Sequence, residues 1–275
     1  DLRNLYTITI DWPDTKDIDD AISLEIFPNW KFKLYVHIAD VTHYVKEWSF
    51  TDREAKDRAT SIYFLDKVIP MIPEKLSNWL CSLNPNEDKL SLTCEILVSK
   101  NGKINPRDSK VYESVINSNA RTTYKEIQDI FNINKVVWDK LQFSDKVDEN
   151  LVKLVKDSYT LSRLLNNLRK KEWELTFENK EIKTELDEKR NPIKFKKYEM
   201  YESNELIKAL MVTANEAVSL IYGSWPFLHR THGKPKDEKL ELLSKTLSYL
   251  EIDTWGLDLN AWNIDKLLEK VKWHE

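Results

Sequence analysis

Apolar and polar residues alternate along the first third of the chain. Leu5 to Ile10 is rich in β-branched and aromatic residues, and Ala21 to Ile26 and Phe32 to Ile38 follow the same pattern, which predicts strands. Leu90 to Val98 is a further strand candidate, and Asn101-Gly102 after it is a strong two-residue turn signal for a hairpin. Trp12 to Lys16, lying between strand patterns and holding Pro13, predicts a loop. From there the period changes. Thr123 followed by Glu126 is a capping-box spacing that opens a helix through about Phe131. Leu151, Leu154, Val155, Leu161, Leu164, Leu165 and Leu168 recur at three- and four-residue spacing, the stripe of one long amphipathic helix. Short β stretches at Leu175–Phe177 and Ile182–Leu186 come next. A second long helix is marked by Leu206, Ile207, Leu210, Met211, Ala214 and Val218, and a third by Leu240, Leu243 and Leu247. Strands followed by helices predict an α+β fold, β-rich over about 1–115 and mainly helical over about 116–275.

Composition narrows the classes. At 275 residues with 41% apolar content the chain is large enough to bury a substantial core. No apolar run approaches the roughly 18 residues a membrane span needs, so no membrane partner is expected. Two cysteines, Cys81 and Cys94, make neither a disulfide framework nor a four-ligand zinc site, which predicts a cytoplasmic setting. A net charge of -4 is unusual for a free-standing nucleic-acid binder. It leaves open a nuclease whose basic surfaces lie elsewhere.

Five carboxylates fall within ten residues in Asp11-Trp12-Pro13-Asp14-Thr15-Lys16-Asp17-Ile18-Asp19-Asp20, between one strand pattern and the next. Each pair of such charges at 4 Å costs about 1 kcal/mol even in water. A bound cation removes that cost. Mg²⁺ takes oxygen ligands and commonly shares them between one or two carboxylates and substrate phosphate. On charge alone the run serves a solvated acidic loop equally well. A calcium-binding loop is excluded, because counting from Asp17 places Ala21 and Ile22 where an acid and a glycine are required.

The stretch from Thr9-Ile10-Asp11 through Lys16-Asp17-Ile18-Asp19-Asp20-Ala21 resembles the signature of the catalytic (RNB) domain of ribonucleases II and R. The likeness continues in Val36–Val45, Thr60–Phe64, Ile69–Asn78 and Leu80–Pro85. Fainter echoes follow at Leu175–Phe177, Ala214–Ala217 and Pro226–His232. Several motifs in fixed order are far more specific than any one alone.

The resemblance implies a magnesium-dependent exoribonuclease that digests single-stranded RNA from its 3′ end to nucleoside 5′-monophosphates. It implies that Asp11, Asp17, Asp19 and Asp20 are the catalytic and metal-holding carboxylates, with Asp19 the least replaceable. By the same resemblance Tyr63 and Phe177 are the aromatics on which RNA packs. A monomer is expected. The alternative is a non-catalytic RNA-binding relative, although an inactive protein has no use for a self-repelling cluster. His37, His43 and His232 are more simply read as structural histidines, and the two cysteines as small core residues.

Departures from the family pattern refine the expectation. The chain ends before an arginine-bearing Thr-Ser-Pro-Ile-Arg-Arg-type segment and lacks the flanking RNA-binding domains, so a C-terminally truncated catalytic domain is expected, its activity alone left open. Lys208-Ala209 replaces a usual pair of glutamates. Glycine, about 7% of an average chain, occurs 4 times, whereas tryptophan occurs 10 times. Trp12, Trp30, Trp48, Trp79 and Trp173 stand where relatives carry glycine, and Trp12, Trp30 and Trp48 sit where turn chemistry favours it. UGA codons decoded as glycine in the source organism would account for both biases.

Overall fold

The structure is a computed structural model, described here for residues 1–28, 31–134, 148–172, 182–197, 200–229, 231 and 236–252. The strands are β1 (Ile8–Asp11), β2 (Asp20–Phe27), β3 (Lys31–Ala39), β4 (Ile62–Tyr63), β5 (Val68–Ile69), β6 (Asp88–Val98), β7 (Lys110–Asn117), β8 (Ala120–Thr123), β9 (Ile182–Leu186) and β10 (Pro192–Lys197). The helices are α1 (Val41–Tyr44), α2 (Phe50–Arg58), α3 (Tyr124–Asn134), α4 (Glu149–Glu172), α5 (Glu202–Ile221) and α6 (Asp237–Tyr249), with a π-helical turn over Lys75–Leu80. The fold is α+β, as the periodicity predicts.

Six strands form one sheet in the order β7-β6-β3-β2-β1-β8. Its neighbours are antiparallel except for β1 and β8, which run parallel with Asp11 opposite Thr123. Alternation sends Ile8, Ile10, Ile22, Leu24, Leu34, Val36 and Ile96 to one face. There they share a buried core with Ile127 and Phe131 of α3, Leu154, Leu161 and Leu165 of α4, and Leu206, Leu210 and Ala214 of α5. Burying each large aliphatic side chain contributes about 1.5–3 kcal/mol, so the helical stripes and the strand alternation stabilise one another.

The reverse face carries a row of buried polar side chains. Thr7 Oγ1 and Ser23 Oγ lie 2.8 Å apart, Ser23 Oγ and His37 Nε2 3.2 Å, and His37 Nδ1 and Thr93 Oγ1 2.7 Å. The row continues from Thr93 to Ser114 at 2.6 Å and from Ser114 to Ser91 at 2.8 Å. Satisfied in this way, the hydroxyls avoid the penalty for buried, unpaired polar groups. Burial lowers the His37 imidazole to about 4, so it stays neutral and structural.

Local signals hold closely. Glu126 accepts from the Thr123 backbone at 2.7 Å while its own N–H donates to Thr123 Oγ1 at 3.2 Å, the expected capping box. The helix it opens runs past Phe131 to Asn134. Gly102 turns with φ 80°, but the hairpin it was expected to open shrinks to one bridge, Val98 to Ile104. The true partner of β6 is β7, eight residues beyond Gly102. Asn105 diverts the intervening chain: its carbonyl accepts from Ser109 Oγ at 2.7 Å and its side chain donates to Asp108 at 2.6 Å. The chain groups into two compact units, residues 1–168 with 179–226 and residues 169–178 with 227–275. All site geometry below belongs to the first.

Candidate functional site

The acidic segment leaves the sheet at Asp11, the last residue of β1, and returns at Asp20, the first of β2. Its backbone is pinned along its length. Arg121 on β8 donates its guanidinium to the carbonyls of Pro13 and Thr15, at 3.3 and 2.5 Å. Ser82 donates its hydroxyl to the Lys16 carbonyl at 2.8 Å and accepts the Ile18 N–H at 3.2 Å. The Leu83 N–H meets the Ile18 carbonyl, and the Ala39 N–H meets the Asp19 carbonyl, both at 2.9 Å. Ile18 is only 1% exposed and anchors a small second core with Ala21, Ala39, Cys81, Leu83 and Ile116. A loop of like charges is thus held in place by neutral carbonyl contacts and one apolar plug.

The carboxylates differ in their surroundings. Asp11 Oδ1 accepts the Trp12 N–H and the Thr15 hydroxyl, both at 2.8 Å, which fixes the side chain and leaves Oδ2 outside those bonds. Burial, reinforced by Asp19 and Asp11, raises the Asp20 carboxyl to about 7. Asp19 presents an exposed face, yet the protein bulk behind it raises its carboxyl too. A backbone hydrogen bond opposes that rise, and the charges of Asp11 and Asp17 add to it. Desolvation together with like charges is the setting that a cation relieves.

A cavity of about 470 Å³ is lined by Asp11, Thr15, Asp17, Asp19, Ser61 and Tyr63 among others. A second of about 470 Å³ shares Thr15, Asp17 and Tyr63 and continues to Trp12, Glu74 and Asn78. Asp20 lines neither, although its charge couples to Asp19 and Asp11. Tyr63, on β4, is 71% exposed and so is no core tyrosine. Phe177 and His232 lie outside the described residues. His43 is exposed on α1, edge-on to Tyr44 at 5.0 Å. Cys81 and Cys94 are buried and unpaired, and burial pushes the Cys94 thiol up to about 11.

The donor chemistry fits a hard divalent cation: several carboxylate oxygens, two of them on acids that burial makes costly to ionise. Among the described residues, however, no three His, Cys, Asp or Glu side chains are arranged around one metal position. Arg121 and Ser82 were not singled out from sequence. Ser82 lies inside the recognised Leu80–Pro85 stretch, but nothing local marks Arg121, because its role depends on the parallel pairing of β8 with β1.

The family model of the RNB domain matches residues 1–275. Ribonuclease R of Mycoplasmopsis pulmonis is 44% identical over 255 residues, which cover 92% of this chain and 33% of that protein. Ribonuclease R of Thermotoga maritima is 36% identical over 278 residues, covering 100% of this chain and 38% of the relative. The chain therefore spans about a third of the length of these relatives. Mycoplasma genitalium RNase R in complex with ribose methylated single-stranded RNA superposes with a TM-score of 0.87 at 34% identity, covering 98% of this chain and 41% of that one. Yeast Ssd1, a pseudonuclease, shares the fold at a TM-score of 0.67 and 17% identity, over 97% of this chain and 31% of that one.

Proposed function

Because the chain belongs to the RNB domain family, we propose that it forms the catalytic part of a magnesium-dependent 3′-to-5′ exoribonuclease. The reading has it hydrolyse single-stranded RNA to nucleoside 5′-monophosphates. One observation carries it: Asp11, Asp17 and Asp19 border a single cavity together with the exposed Tyr63. Relatives support the substrate class, since the Mycoplasma genitalium enzyme has been solved with single-stranded and with double-stranded RNA.

In this reading Asp11, Asp17, Asp19 and Asp20 would hold Mg²⁺. Such an ion lowers the proton affinity of water and offsets charge on phosphate oxygens. The chain's own residues do the rest. Arg121 and Ser82 fix the loop backbone so that the carboxylates present a constant geometry. Asp19, on the open side of the cleft, accepts a hydrogen bond from the attacking water. Tyr63 gives the terminal bases a surface to stack on, worth about 1–3 kcal/mol per base and indifferent to sequence. Two unpaired, buried cysteines support a reducing compartment such as the cytoplasm.

The non-catalytic alternative retains RNA binding with no turnover; yeast Ssd1, which shares the fold, is a pseudonuclease. The retained aspartates favour chemistry. In the complete encoded protein, Asp19→Asn is expected to bind single-stranded RNA as before and to release mononucleotides at least about 100-fold more slowly. Release at the unsubstituted rate would remove the cluster from the mechanism. No release by the unsubstituted protein with magnesium present would favour the non-catalytic alternative.

A further inference from the structure

The sequence from Ile182 to Lys197 carries six cationic side chains against three anionic ones, a net charge of +3 within a chain of net -4. It folds into the antiparallel β9–β10 hairpin, a two-stranded sheet of its own. All six residues of β10 are exposed, including Phe195 at 72% and Ile193 at 64%. A two-stranded ribbon exposed in this way gains little from packing. Its composition therefore reflects something other than stability.

Two of its three anions are already occupied. Glu185 pairs with Lys196 across the ribbon. Asp187 accepts the N–H groups of Lys189 and Asn191, each at 2.8 Å, and closes its own turn. Lys194 and Lys197 form no ion pair among the described residues, and Phe195 stands between them in sequence. Cations interleaved with an exposed aromatic ring suit a phosphate backbone that carries unpaired bases. The position of the ribbon matters as much as its charge. Arg190 at its tip bonds Asp66 at 3.0 Å, in the turn between β4 and β5. The same small hairpin carries Tyr63, which borders both cavities at the acidic loop.

We propose that the β9–β10 hairpin is a contact arm for the upstream part of the RNA strand whose 3′ end occupies the cleft. Lys194 and Lys197 engage phosphates, and Phe195 stacks on a base. The proposal rests on the RNA reading above and adds where the strand runs once it passes Tyr63.

The test compares the complete encoded protein with its Lys194→Ala/Phe195→Ala/Lys197→Ala variant. The probes are a ribose-methylated 20-mer and a ribose-methylated tetramer of single-stranded RNA, with affinity followed by fluorescence anisotropy across a salt series. The expected result is that the variant's preference for the 20-mer over the tetramer shrinks by about tenfold. Its log Kd should also depend less steeply on log salt, by about 1.4, the share of two phosphate contacts. An unchanged preference and slope overturn the proposal. So does a lowered melting temperature with an unchanged slope, which means that another segment of the protein covers the ribbon. If the unsubstituted protein binds neither oligonucleotide, the RNA reading fails and this proposal falls with it. Loss confined to the variant and to the longer strand is specific to the ribbon.

Discussion

Trp48 shows what a single residue costs when backbone and side chain disagree. It sits at φ 66° with its ring 72% exposed, under Lys56 Nζ at 4.8 Å. A left-handed backbone costs an L-residue roughly 1–2 kcal/mol, whereas glycine pays nothing there. Trp48→Gly is therefore expected to stabilise the protein by about 0.5–1 kcal/mol, after the extra freedom of glycine in the unfolded chain is set against the relief. Thermal unfolding measures it, and a loss of stability would show that the ring contacts outweigh the strain. The same turn expectation fails at Trp12. Trp12 and Trp79 have no positive φ; Trp12 leans on Tyr124 at 5.0 Å, and Trp79 lies within the π-helical turn. Trp30 and Trp173 lie outside the described residues. His37 makes a second prediction at this scale. Its folded value of about 4 lies below the ordinary 6.5, so between those values the unfolded chain binds the extra proton. The stability it contributes is complete above about 6.5 and is lost as pH falls toward 4. From this group alone the protein is expected to be about 2 kcal/mol less stable at pH 5 than at pH 7. Urea titrations of the protein and of His37→Asn at both pH values isolate that share. Equal pH dependence in the two would refute it.

At the level of elements, the signals read from sequence were those with a local cause. The stripes of α4 and α5, the alternation of β2, β3 and β6, and the Thr123–Glu126 box each depend on residues within a turn or two of one another. What stayed hidden depends on pairing at a distance. β8 is four residues, Ala-Arg-Thr-Thr, with no apolar alternation to announce it, and it becomes a strand by lying parallel to β1. That pairing delivers Arg121 to the acidic loop, so the run of aspartates is visible in the sequence and the cation that pins its backbone is not. Arg121→Ala removes the two carbonyl contacts and touches no carboxylate. The expected outcome is RNA affinity within about twofold of the unsubstituted protein and a hydrolysis rate lower by about tenfold, since small displacements of catalytic groups cost this much or more. Faster amide exchange over Thr15–Asp19 should accompany it. A normal rate with a loosened loop would mean that the carboxylates do not need the loop held still.

Across the whole molecule, one tension ties fold to function. The sheet and its helices stabilise the protein through a continuous apolar core, while the end of the sheet where β1 passes to β2 concentrates like charge against partly buried surface. Asp20 shows the sign. Its carboxyl, raised to about 7 by burial, Asp19 and Asp11, favours the neutral form in the folded state. Its stabilising share is therefore present at low pH and lost as pH rises through that value. A cation held by the cluster reverses that, because ligands that bind only the folded state stabilise it by mass action, about 2.7 kcal/mol at a hundred times Kd. The two effects predict a crossover under thermal unfolding at pH 8. Without divalent ions, Asp20→Asn is expected to be more stable than the unsubstituted protein by about 1–2 kcal/mol, an amount that allows for a site still partly open to solvent. With saturating Mg²⁺ the order inverts, because the unsubstituted protein gains the ion and the variant largely does not. A purely structural Asp20 would leave the order the same in both conditions, and a solvated acidic loop would show no magnesium response in either protein. The inversion requires both terms at once, a repulsion built into the fold and an ion that answers it, so neither a stability effect nor a weak surface ion alone can imitate it.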